Sequence, residues 1–279
     1  MFKTKDGSLE KKTIEREKLV NYLKETVNSP KTPEEKIRDL RDWLESIKES
    51  YKGSEICKWF EEFIIYSPEN SQIRNFQKEG QIEPLGRKGE GLFKLIGSFF
   101  VDDNKEKIDE LKNNLKLFDW FSDFNFPMDF FEGEYSLFFK DKYVSAEANS
   151  FDQRNVNEGF LFLLFYFSLI LSEKTPCFFA IENIETALNP KLCSKLIKNI
   201  VDLTKTKKKQ VIITTHNPAV LDGLNLDDEQ QRLFVIYRNK LGHSKAKRQL
   251  KPKPIGDEEP VRLSEAFLRG YLGGLPNNF

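Results

Sequence analysis

An α/β fold, with a largely parallel sheet and an α-rich lobe ahead of it, is what this sequence predicts, and three observations carry the prediction. Helical and strand patterns alternate through the C-terminal half, the arrangement that builds a parallel sheet. Two short apolar runs there, CFFAIE and QVIIT, each end abruptly in polar residues and are each followed by a helix pattern. The N-terminal half instead carries apolar residues at helical spacing with charges between them. The division falls near residue 130, giving a helical lobe over 1–130 and an α/β lobe over 131–279.

Taken in order, Thr32–Glu49 places Ile37, Leu40, Leu44 and Ile47 on one helical stripe, and Ser54–Ile65 does the same with Ile56, Phe60 and Phe63. Thr32-Pro33-Glu34-Glu35 opens the first helix with a capping Thr, a Pro in the first turn and acidic residues near the positive end of the dipole. Glu90–Phe99 and Asn104–Trp120 also read as helices. Tyr135–Lys140 and Tyr143–Ala148 read as a hairpin around Asp141-Lys142. Beyond it the pattern predicts a helix over 158–173, a strand over 177–182, a helix over 190–206 and a strand over 210–214. A short helix over 218–223, a strand over 232–238 and a helix over 263–272 complete it. The strands at 177–182, 210–214 and 232–238 are expected to share one sheet, with an open edge or apolar patch near Phe178, Ile181 and Ile212.

Composition bounds the functional classes. Lys+Arg and Asp+Glu balance at 44 each, so the chain as a whole has no charge-driven attraction to nucleic acid or an anionic membrane, and any such contact is local. Cys57, Cys177 and Cys193 have neither disulfide parity nor metal-ligand spacing and read as reduced thiols of a cytoplasmic protein. FLFLLFYFSLIL at 160–171 falls short of the roughly 20 residues of a membrane span and reads as a buried helix. Met1–Glu10 is charged and lacks the apolar core of a signal peptide.

The residues with chemical potential lie at strand ends, where α/β sheets gather their chemistry. Glu182 and Asn183 end the first apolar strand, and Thr214-Thr215-His216 end the second. Asn157 and Gly159 stand at the start of the apolar helix, where a cap and a close backbone approach suit an anion at the positive dipole end; an ordinary N-cap accounts for them equally. Gly86-Arg87-Lys88-Gly89-Glu90-Gly91 imitates a phosphate loop in the wrong order, its Lys preceding two glycines. No G-x-x-x-x-G-K-[ST] occurs in the 279 residues. Lys205–Lys209 suits a helix C-terminus, and His243 reads as a turn residue. The cluster Lys245, Lys247, Arg248, Lys251 and Lys253 suggests phosphate contact, although the run has no interleaved aromatics and Asp257, Glu258 and Glu259 follow it.

CFFAIENIETALNP (Cys177–Pro190) and VIITTHNPAVLDGL (Val211–Leu224) together resemble the Walker B motif, D-loop and switch histidine of ABC-type ATPases. The branch in question holds RecF-like, SMC-like and overcoming-lysogenization-defect-like proteins. With LSEAFLRGYLGGLPNNF (Leu263–Phe279), the likeness extends over roughly Ile56 to the end, toward the C-terminal part of bacterial AAA-family ATPases of this group, many of them found in phage-defence settings. The resemblance implies a P-loop-NTPase-like sheet with ATP and Mg2+ as cofactors, neither held tightly by this chain alone. It puts Glu182 at the metal-orienting acid, Asn183 at the water-activating glutamate, His216 at the switch histidine, Asn157 and Gly159 at the signature motif, and Leu188 and Asn189 in the D-loop. Asn183 departs from that pattern, since an amide takes no proton from water. The implied partner is a Walker A-bearing polypeptide or N-terminal half, with homo-oligomerisation when complete, nucleic acid or an effector protein as further contacts, and no membrane. The alternative reading is a non-hydrolysing scaffold that keeps the fold as an interaction module.

Overall fold

The computed structural model describes residues 32, 35, 60–74, 84–101, 104–125, 137–144, 150–239, 241–251 and 261–273. Contacts divide the chain into Met1–Glu61 and Glu62–Phe279. In the first unit Thr32 and Glu35 form a reciprocal capping box: the Glu35 N–H donates to the Thr32 hydroxyl at 3.3 Å, and the Thr32 N–H donates to the Glu35 carboxylate at 2.8 Å. The remainder of the helix expected over 32–49 lies outside the described residues.

The second unit runs β1 (Ile64–Tyr66), α1 (Asn70–Arg74), α2 (Leu92–Val101), α3 (Lys105–Leu115), β2 (Phe121–Asn125), β3 (Phe138–Asp141), β4 (Ser150–Asp152) and α4 (Glu158–Leu171). It continues through β5 (Phe178–Ile181), α5 (Pro190–Thr206), β6 (Gln210–Ile213), α6 (Pro218–Leu221), β7 (Leu233–Arg238), β8 (Ser244–Gln249) and α7 (Leu263–Leu268). Strands β1, β5 and β6 form a parallel sheet in that order, β2, β3 and β4 an antiparallel sheet, and β7 and β8 a hairpin. The α/β class and the parallel core are therefore as the sequence predicts.

Several boundaries differ for physical reasons. Of the helix expected over 54–65, residues 54–59 lie outside the described residues and 60–61 are helical, but Ile64–Tyr66 form β1, because pairing with β5 draws them into the edge of the parallel sheet with Ile64 and Tyr66 turned inward. The strand at 232–238 does not join that sheet; β7 pairs with β8 instead, and β1 occupies the third position. The expected 135–148 hairpin is displaced: β3 pairs with β2 and with β4, while 145–149 lie outside the described residues. Strands β2 and β3, on either side of residue 130, pair with each other, and the core draws on residues from both sides.

Helix α4 is the axis of this unit. All its residues from Gly159 to Leu171 are buried, which explains an apolar run with no polar face. Tyr66, on the covered face of the parallel sheet, meets Phe165 of α4 at 5.9 Å and Phe179 of β5 at 5.8 Å, both edge-on. The antiparallel sheet closes on the other end of α4 through Phe160, whose ring lies 4.8 Å from Trp120 and 5.2 Å from both Phe121 and Phe139. Helix α5 is amphipathic, burying Leu192, Cys193, Leu196, Ile197, Ile200 and Leu203. Cys193 is a free thiol, as is half-buried Cys177. No helix among the described residues is long and apolar enough to cross a membrane.

Candidate functional site

Strands β5 and β6 run parallel in register, Ile181 beside Ile213, so their C-terminal ends bring Glu182-Asn183 next to Thr214-Thr215-His216. The two ends are knitted together. The Thr214 N–H donates to the Ile181 carbonyl at 3.0 Å, the Asn183 N–H to the Thr214 hydroxyl at 3.1 Å, and the His216 N–H to the Glu185 carboxylate at 2.9 Å. On the other side the Glu182 N–H donates to the Tyr66 carbonyl at 2.8 Å, tying β1 to the same ledge. Glu182, Asn183 and His216 are all exposed.

Asn183 adopts a left-handed backbone with φ 50°. Asparagine tolerates this region better than most residues, so local geometry selects an Asn here independently of any chemistry. Its carbonyl then accepts both the backbone N–H and the hydroxyl of Thr186, at 3.0 and 2.7 Å, winding the 183–186 turn. Ala187, also at positive φ, carries the chain to Asn189, whose side chain accepts the Leu192 N–H at 2.9 Å and caps α5. Asn217 caps α6 in the same way.

The start of α4 meets this turn. A Cβ on Gly159 would sit 2.7 Å from the Ala187 carbonyl and 3.2 Å from Leu188, so glycine is required for the approach of one backbone to the other. The Asn157 side chain accepts the Phe160 N–H at 2.8 Å, a standard cap. Asn157, Gly159, Leu188 and Asn189 are thus brought together, and each has a packing or capping task. The loop before them is clamped by Arg74, whose guanidinium donates to the carbonyls of Gln153 and Arg154 at 2.9 Å and of Val156 at 2.6 Å.

Glu185 is the member of this site that sequence reading did not single out, and Thr214, named only as part of a strand end, gains a bridging hydroxyl. One Glu185 oxygen accepts from His216; the other is buried without a hydrogen-bond partner, as is the Tyr166 hydroxyl. Burial, followed by the charge of Glu185, pushes the Tyr166 phenol far above its ordinary range, so it stays protonated. The signal was an acid three residues beyond Glu182 in a turn otherwise built from small and apolar residues.

As a place for ATP and Mg2+, the site fits in part. Glu182 presents an exposed carboxylate, and Asn183 and His216 present an amide and an imidazole at neighbouring strand ends. Among the described residues no cluster of three or more His, Cys, Asp or Glu is arranged to hold a metal. The glycine-rich segment 86–91 does not supply a phosphate cradle, because it closes on itself. The Gly86 N–H donates to the Glu90 carbonyl at 2.8 Å, the Lys88 N–H to the Glu90 carboxylate at 3.0 Å, and the Lys88 ammonium pairs with Glu69 at 2.8 Å.

Residues 98–221 match the family model for an AAA ATPase domain, a span that includes both strand ends and the start of α4. Among solved structures, the Smc head domain with a coiled coil and joint from Pyrococcus yayanosii is 10% identical. It covers 64% of this chain and 31% of its own, with a TM-score of 0.41. An Smc head bound to the C-winged helix domain of ScpA is 14% identical, covering 66% of this chain and 55% of its own, with a TM-score of 0.42. An archaeal ribosome recycling factor in complex with a ribosomal stalk protein is 16% identical, covering 82% and 34%, with a TM-score of 0.40. The chain thus spans about a third to a half of the length of these structures. No curated protein matches.

Proposed function

Taking residues 98–221 as an AAA ATPase domain, we propose that this chain supplies the Walker B, D-loop, signature and switch-histidine side of an ABC-type nucleotide site. A phosphate-loop segment from outside these 279 residues would complete it. The observation that carries the reading is the ledge formed by β5 and β6, where Glu182, Asn183 and His216 share one sheet end and are cross-braced through Thr214 and Glu185. In the completed site Mg2+ would neutralise charge on the β- and γ-phosphates. Glu182 is the residue to orient it, through water. Asn183 can position an attacking water by hydrogen bonding but accepts no proton from it. His216, anchored through its own N–H, is the group to contact the terminal phosphate or the adjacent water. Asn157 and Gly159, at the positive end of α4, are the elements to meet a phosphate across a dimer, as in a clamp working in defence or DNA transactions.

No hydrolysis step is assigned to the chain alone. The Asn183 amide favours a long-lived nucleotide-bound state, and it equally suits a scaffold that binds nucleotide without turnover. The test is to combine the chain with a polypeptide that carries G-x-x-x-x-G-K-[ST] and measure hydrolysis. The reading expects slow turnover that rises in Asn183→Glu and is lost in His216→Ala. Turnover unaffected by either change would mean that another group activates the water and that the assignment is wrong.

A further inference from the structure

The β7–β8 hairpin lies apart from this site and has a composition unlike the rest of the chain. Residues 233–251 hold Arg238, Lys240, Lys245, Lys247, Arg248 and Lys251 with no Asp or Glu, in a protein whose formal net charge is zero. Lys251 pairs with Asp227. Arg238, Lys245, Lys247 and Arg248 are exposed, and among the described residues none of them makes an ion pair. Read along the sequence, this basic run lacks aromatics. The pairing of the strands supplies them, placing Phe234 opposite Arg248 and Tyr237 opposite Lys245.

The two faces of the ribbon differ. Leu233 and Val235 pack on the small cluster of Leu221, Ala266 and Leu272, and Gln249 is buried and donates to the Leu272 carbonyl at 3.0 Å, so one face is anchored at its base. The other face, with Phe234, Ile236 and Arg238 opposite Arg248, Ala246 and Ser244, is open. Phe234 is 50% and Ile236 66% exposed there, and Tyr237 is 42% exposed beside the tip. The tip is held rigid by Asn239, whose side chain accepts the N–H groups of Leu241 and His243 at 3.0 and 2.9 Å. An exposed ring, Phe234, set beside Arg248 and near Arg238, which make no ion pair among the described residues, meets two requirements of single-strand recognition, a stacking platform for bases and positive charge for phosphates.

We propose that the open face of the β7–β8 hairpin binds single-stranded nucleic acid, with Phe234 stacking on a base and Arg238 and Arg248, on the same face, engaging the phosphates. The proposal does not depend on nucleotide binding at the β5–β6 ledge. The test is fluorescence anisotropy with the full chain and labelled mixed-sequence 20-mers of single-stranded DNA and RNA, a matching duplex, and polyglutamate as competitor. The expected result is tighter binding of a single strand than of duplex, with log affinity falling against log salt at a slope of about −1.4 for two phosphates. Replacing Arg238 and Arg248 by Gln should abolish most of that slope and cost at least about tenfold in affinity, and Phe234→Ala should cost about tenfold with the slope unchanged. Thermal melting checks that each variant is folded, and photocrosslinking of the unsubstituted chain, expected within 233–251, provides a readout free of substitutions. Binding no weaker to duplex, full displacement by polyglutamate, indifference to Phe234→Ala, or crosslinks confined elsewhere would each overturn the proposal.

Discussion

The parallel sheet has two faces of nearly the same composition and opposite fates. On one, Tyr66, Phe179 and Ile181 are fully buried against α4 and its neighbours. On the other, the row Ile65–Ala180–Ile212 runs straight across the three strands, with Ile65 53% and Ile212 47% exposed. Parallel sheets are ordinarily covered on both faces. The difference teaches that stability resides on the α4 side and that the open side has apolar surface to spare for association. It also corrects one expectation: Ile181 belongs to the covered face, whereas Ile212 and half-buried Phe178 lie on the other.

Substitutions on the two faces should separate sharply. Phe179→Ala, on the covered face, is expected to lower the unfolding free energy by about 3–5 kcal/mol. Ile212→Ala should change it by less than about 1 kcal/mol. Denaturant titration measures both, and similar losses would erase the distinction between the faces. Conversely, Ile65→Thr with Ile212→Thr should reduce self-association in sedimentation velocity, while Phe179→Ala should not.

Next in size is a pH effect from the far end of the same strands. Lys209, just before β6, donates to the carbonyls of Leu169 and Ser172 at 3.1 and 2.6 Å, sealing the C-terminus of α4. Burial pulls its ammonium down to about 8 from 10.5, against the opposing charges of Cys177 and Glu173. The unfolded chain therefore binds more protons than the folded one between those values, and stability rises with pH across that window. Relative to Lys209→Met, the unsubstituted protein should gain up to about 3 kcal/mol between pH 8 and 10.5. A flat difference would show that the carbonyls compensate the burial.

The smallest effects are local to the strand ends. Asn157→Ala should cost about 1 kcal/mol through loss of the α4 cap. Asn183→Glu should cost about the same, because a Glu is forced into the left-handed region, even as it introduces a proton acceptor. Asn183→Gly, which meets the backbone requirement without strain, should leave stability unchanged; a large loss there would mean that the side chain itself bears structure.

What was legible in the sequence followed from strong periodicity and abrupt chemical change. FFAI and QVII run into polar residues, and the apolar run of α4 can only be interior, so β5, β6, α4 and α5 were readable. β1 was not, since three residues inside an amphipathic stretch give no period-two signal of their own, and only a partner over a hundred residues away makes them a strand. The β7–β8 pairing was missed for a related reason: β8 is polar and charged throughout, and its strand character comes from β7. At the ledge, Glu182, Asn183 and His216 stood out by type and place, whereas Glu185 and Thr214 matter through bonds between strands that no linear pattern displays.

The central claim is that this chain holds one side of a nucleotide site and lacks the phosphate cradle. Calorimetric titration of ATP–Mg2+ into the chain alone tests it most directly. The account predicts no saturable heat at micromolar nucleotide, with binding emerging only when a phosphate-loop polypeptide is added. Micromolar affinity for the chain by itself would contradict it.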